Sequence, residues 1–173
     1  MNTTGKTGIA ALAASTGTSF GLALVREFGR GGVFRFEEVD FPGTLTHEPT
    51  RRFLSETGLP EDGGLFALDT DLPLRTLTEY YADDHEEGFR PEALPADAGR
   101  LIRLGRLRDG NSLVVDGTTG ALLHWNEPES SLVPLHADVS TLALALCLLH
   151  RKRASAGCSQ GASGADTRGE FGA

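Results

Sequence analysis

Cysteine and lysine are almost missing from this chain. The two cysteines, Cys147 and Cys158, stand eleven apart with no C-x-x-C pair around either. A disulfide framework and a thiolate zinc site are therefore excluded, and a reducing, cytoplasmic setting is expected. Cys147 sits in an apolar helical run and reads as a small buried hydrophobe, whereas Cys158 lies in a tail. Lysine does not occur between residues 33 and 150, where twenty-one Asp and Glu face nine Arg, a net charge of −12 against −8 for all 173 residues. Such a surface repels phosphate backbones, so it disfavours nucleic acid and favours a basic protein partner; the plainer reading is that the charge serves solubility. Nor is there any run of the ~18 to 20 apolar residues that a membrane-spanning helix needs, so no membrane partner is expected. The nearest approach, Ile9 to Ala14 behind Lys6, is shorter than the ~7 to 15 residues of a secretory signal core. It reads as a weakly structured extension, or as the product of a start codon placed too early.

Catalytic signatures are missing as well. Gly5-Lys6-Thr7 has the end of a phosphate-binding P-loop, but the chain starts too late to supply the earlier glycine and the preceding strand. The glycines at 29, 31 and 32 do not form G-x-G-x-x-G ahead of a helix. His47, His85, His124, His136 and His150 are scattered without an H-E-x-x-H pair or other ligand spacing. No catalytic residue, no metal ligand and no cofactor is assigned, and the chain does not read as an enzyme.

What remains is a pattern of one core and two tails. Glycine concentrates before residue 33 and after residue 156, so residues 1–32 are expected as a flexible extension, 33–153 as the domain and 154–173 as a disordered tail. Phe34 and Phe36 alternate with charged residues as a half-buried strand requires, up to Phe41-Pro42. Thr46, Glu48 and Pro49 open a helix that stops at Gly58. A short strand is expected at 63–68, then a connection anchored by Leu72, Leu74 and Leu77 that leads to Glu79-Tyr80-Tyr81. Strands follow at 100–105, 112–116 and 121–125, separated by Asp109-Gly110-Asn111 and Gly117-Thr118-Thr119-Gly120, which predicts an antiparallel meander. Val139, Leu142, Ala143, Leu146 and Leu149 recur at helical spacing over 138–153 and should dock on the sheet.

Two groups of side chains suit partner binding. Asp83, Asp84, Glu86 and Glu87 lie in a stretch, 82–97, that reads as an exposed loop. They either mimic a phosphate backbone and plug a basic cleft, or simply solvate that loop. Tyr80, Tyr81 and Trp125 are the aromatic residues best able to anchor an interface, although a core role is equally open to Trp125 beside its apolar strand.

Taken in order, Leu45-Thr46-His47-Glu48-Pro49-Thr50-Arg51-Arg52-Phe53-Leu54 with Gly58-Leu59-Pro60, the Ile102-Arg103-Leu104-Gly105 strand, and Leu113-Val114-Val115-Asp116-Gly117-Thr118-Thr119-Gly120-Ala121-Leu122 resemble the SUKH superfamily. The resemblance is nearest to its fourth immunity group, common in actinobacteria, and spans about 33–150. It implies an α+β fold with a central, mainly antiparallel sheet flanked by helices. It also implies an immunity protein of a bacterial polymorphic toxin system, which binds a cognate nuclease or nucleic-acid deaminase toxin with a basic active-site cleft in the cytoplasm. An intracellular adaptor or regulatory scaffold is the other role this resemblance allows.

Overall fold

The computed structural model describes residues 19–61, 64–83 and 94–160, of which 157–160 by backbone alone. A helix, α1, spans 19–28. Its Phe20, Leu24 and Phe28 recur every four residues and so share one face, with Leu24 fully buried and both phenylalanines packed against the core. Glu27 at its end accepts a hydrogen bond from Arg151 at 2.9 Å. The packed unit thus begins ahead of the boundary expected at 33. The stripe that 19–28 packs on the core is only three large side chains long, and the glycines before and after it dilute it in a composition window.

The strand expected from Val33 to Phe41 is shorter than its alternation suggests. Only Val33–Phe34, β1, pairs, and its partner is Leu59–Pro60, β2. Glu38–Asp40 winds into a 3₁₀ turn closed by Asp40, whose carboxylate accepts the Glu37 N–H at 2.7 Å. That local closure competes with the ladder and turns Val39 outward. The helix α2 covers Glu48–Arg52 and continues as a π turn over Phe53–Thr57, ending at Gly58 with φ 85°. The N-cap position falls to His47 rather than Thr46, and it makes no side-chain hydrogen bond to the free N–H groups of the first turn; its ring nitrogen lies 2.8 Å from the Thr50 hydroxyl instead.

The main sheet has five strands in sequential order, all antiparallel: β3 Phe66–Leu68, β4 Leu101–Leu107, β5 Ser112–Asp116, β6 Leu122–Asn126 and β7 Ser131–His136. The meander expected over three strands therefore continues into β7. The proline within Ser131–His136 argues against a central strand, and β7 is an edge, where a missing N–H is tolerated. Helix α3, Leu77–Asp83, follows β3. Thr76 and Glu79 bracket its first turn: Thr76 N–H donates to the Glu79 carboxylate at 2.8 Å and Glu79 N–H to the Thr76 hydroxyl at 3.2 Å, a capping box.

Side chains alternate across a strand, and here both faces of the sheet are covered. Ile102, Leu104, Leu113, Val115 and Leu122 join one core with Leu24, Leu54, Leu59 and the last helix. Leu101, Val114 and Trp125 join another with Leu77, Tyr81 and Ala98 under α3. The last helix, α4, runs Val139–Gln160, past the end expected at 153. Asp138 caps it, accepting the Thr141 N–H at 2.8 Å and the Ser140 hydroxyl at 2.6 Å. Val139, Leu142, Ala143, Leu146 and Cys147 are buried, but Leu149 is not. At 100° per residue the centre of that stripe returns at His150, whose ring lies 4.6 Å from that of Phe28. The expected α+β architecture, an antiparallel sheet flanked by helices, is thus what the chain adopts.

Candidate functional site

Of the residues singled out for partner binding, Asp84, Glu86 and Glu87 lie outside the described residues. Trp125 is 1% exposed and Tyr81 8%. The Trp125 indole N–H donates to the Tyr81 hydroxyl at 3.0 Å, and that hydroxyl donates to the Glu127 carboxylate at 2.8 Å. Burial, reinforced by the Glu127 carboxylate, drives the Tyr81 phenol above its ordinary range despite the opposing Trp125 N–H, so it stays a neutral donor. Both rings belong to the core beneath α3, which leaves neither ring face open to a partner. The physical reason is that the second face of the sheet needs large apolar cover, and these two supply it.

Tyr80 is half-buried, with its ring 5.1 Å from that of Tyr81 in an edge contact. The Arg103 guanidinium lies over its face at 4.2 Å and that of Arg75 at 5.6 Å. Arg103 itself is buried; it pairs with Asp69 and donates to the Ser112 hydroxyl at 3.1 Å. A charge taken from water in this way survives only because a carboxylate, a hydroxyl and an aromatic face all meet it. Asp83 closes α3 at the surface, 3.3 Å from Arg75, which also reaches Asp71 at 3.4 Å.

Asp83 opens onto a feature that the sequence does not announce. A groove of about 710 Å³ runs between the 39–43 segment and residues 71–83. Val39, 77% exposed, and Leu72, 40% exposed, stand on its two sides, with Phe41 and Leu74 buried beneath. The walls are joined by a main-chain hydrogen bond from Leu74 N–H to the Asp40 carbonyl at 2.9 Å. Asp71, Glu79 and Asp83 line it on one side, and Glu37, Glu38 and Asp40 flank Val39 on the other. Against these six acids stand Arg75 and Arg51, the latter paired with Glu38 and over the Phe41 ring at 5.5 Å. Of the expected anchors of this connection, Leu74 and Leu77 are buried and Leu72 faces the groove. The one available sequence signal was the Thr76-x-x-Glu79 capping box, which places α3 and hence one wall.

Chemistry has no comparable focus. Among the described residues, no three His, Cys, Asp or Glu side chains gather as a metal site. The His47 ring pairs with the Thr50 hydroxyl and His150 packs on Phe28. Nε2 of His124 is buried 3.4 Å from Asp109 without hydrogen-bond alignment.

The stretches Leu45–Leu54 and Leu113–Leu122, so far apart in the chain, meet face to face. The Gly117 carbonyl accepts the N–H groups of both Thr46 and His47 at 2.9 Å. Gly117 and Gly120 abut the Thr44 carbonyl and the His47 ring so closely that a Cβ at either position would overlap them. Burial alone would raise the Asp116 carboxyl, but the Thr118 and Thr119 N–H groups and the Arg100 guanidinium outweigh it and hold the carboxyl below its usual value. This is a clasp between a helix start and a hairpin, built for folding rather than for reaction.

A family model described as SUKH-4 immunity protein matches residues 21–163, taking in α1 and nearly the whole of the structure described above. Searches of curated proteins and of solved structures return no match. With most of its length covered by that one model, the chain belongs to the SUKH-4 immunity protein family.

Proposed function

We propose that this protein binds a cognate polymorphic toxin of nuclease or nucleic-acid deaminase type by direct contact, and neutralises it in the cytoplasm of the producing cell. The family match carries this reading, since an immunity family implies a toxin partner. The charge supports the toxin class. An enzyme that acts on nucleic acid holds phosphates with Arg and Lys, so its working cleft is basic. The −12 carried by residues 33–150 complements such a cleft and speeds encounter with it. Neutralisation then needs only that the cleft be covered, and it calls for no cofactor and no reacting group in the inhibitor.

Co-expression with the toxin encoded beside this chain tests the reading. Growth of a host poisoned by the toxin is restored, and the two proteins co-purify. Failure of both rescue and complex formation with every neighbouring toxin overturns it.

A further inference from the structure

We propose that the groove between segments 39–43 and 71–83 receives an apolar side chain that protrudes from the toxin on a segment with Lys or Arg to either side. This rests on the reading of the chain as a toxin inhibitor, and it names the surface and the chemistry of the contact.

Three observations meet there. First, Val39 and Leu72 stay exposed where their burial would be favourable. They line a concavity, whereas exposed Leu144 and Leu148 point outward from α4. Val39 is not frayed into this position: the Glu37–Asp40 capping interactions hold the turn that presents it. Second, the groove is framed before anything enters it. The Leu74 to Asp40 main-chain bond spans its walls, and Phe41 and Leu74 form a buried floor, so little ordering cost remains for a ligand to meet. Third, its charge is one-sided. Among the described residues, Asp71 and Asp83 pair with Arg75 at 3.4 and 3.3 Å, pairs at the surface that water and salt loosen and an incoming cation can replace. The apolar centre with an acidic rim matches an apolar anchor with a basic surround, and it matches poorly a second copy of this chain, which would bring acid to acid.

The experiment uses the full chain, the toxin encoded beside it, and three variants whose fold is checked by urea unfolding followed through Trp125 fluorescence. V39D/L72D should weaken toxin binding by at least ~30-fold, the loss expected of a centrally placed apolar anchor. D71N/D83N should slow association roughly three- to tenfold at low salt, with the difference closing near ~0.5 M salt as screening sets in. L148D, on the outer face of α4, should bind as the native protein does. If the native protein binds and rescues but V39D/L72D does so equally well, the groove assignment falls and the inhibitor reading stands. If L148D alone loses binding, the α4 face is the interface and the groove is not. A dimer of the native chain that V39D/L72D dissolves would make the occupant a second copy, against the proposal. If the native protein binds no neighbouring toxin, both readings fall together.

Discussion

Replacing Tyr81 by Phe separates a core role from a contact role for the aromatic residues that the sequence offers as interface anchors. The change removes one oxygen and keeps the ring, so packing against Leu77, Leu101 and Val114 persists. Two hydrogen bonds go. Glu127 is exposed and recovers water, which makes its loss small. Trp125 is 1% exposed, so its indole N–H keeps no partner and cannot be rehydrated without opening the core. An orphaned buried donor costs about 1–3 kcal/mol, and about 2 kcal/mol is expected here, or roughly 6 °C in Tm for a chain of this size. Trp125 is the single tryptophan, so its emission reports both the unfolding curve and the polarity of its own pocket. Glu127→Gln, which leaves an oxygen for the phenol, should cost about 0.5 kcal/mol. Toxin affinity should be unchanged in both variants. A Tyr81→Phe protein as stable as the native one, or one of native stability that has lost affinity, would refute the assignment of this cluster to the core.

The remaining predictions concern the clasp and the buried arginine. Gly120→Ala forces a side chain onto a φ of 77° and into the His47 ring, and should cost about 2–4 kcal/mol in urea unfolding; adding His47→Ala should return the overlap part of that loss but not the backbone part. Asp69→Ala leaves Arg103 buried beside Tyr80 without its carboxylate and should cost about 3 kcal/mol, whereas Arg103→Met removes the charge as well and should cost less. Asp116 has a depressed carboxyl pKa in the folded chain, so its contribution is full above the ordinary 3.8 and is lost as pH falls through the lower folded value. The stability gap between the native protein and Asp116→Asn, measured by chemical denaturation, should therefore narrow as the pH is taken below that range.

The strands β4 to β6 are legible in the sequence because each break carries its own turn chemistry: Gly110 and Gly120 both take positive φ where the chain reverses. The α2 stop at Gly58 is legible for the same reason. Where legibility fails, the deciding partner is remote. Val39 reads as a strand residue until the Glu37–Asp40 closure is seen, and Leu72 reads as an anchor until the Asp40 carbonyl is found holding Leu74. The groove is thus a property of two segments some thirty residues apart, and the capping box at Thr76 and Glu79 marks one wall of it without announcing the other. Aromatic residues mislead in the opposite direction: Trp125 and Tyr81 suit an interface by type, and only the second face of the sheet shows that they are needed inside. Helix α1 escapes a composition window because glycines crowd the chain on either side of it, yet the four-residue spacing of Phe20, Leu24 and Phe28 seats it on the core.

The clasp at Gly117 also bears on how the chain acquires its shape. Five residues make α2 too brief to persist alone in water. The Thr46 hydroxyl and Gly117 carbonyl that meet at its start are 71 positions apart, so the loop-closure entropy of that contact is met only once the β5–β6 hairpin exists to offer the carbonyl. Protection of the Thr46 and His47 amides from hydrogen exchange should consequently arise with hairpin closure and not before it, making the first half of the clasp a latecomer in time although it leads in sequence.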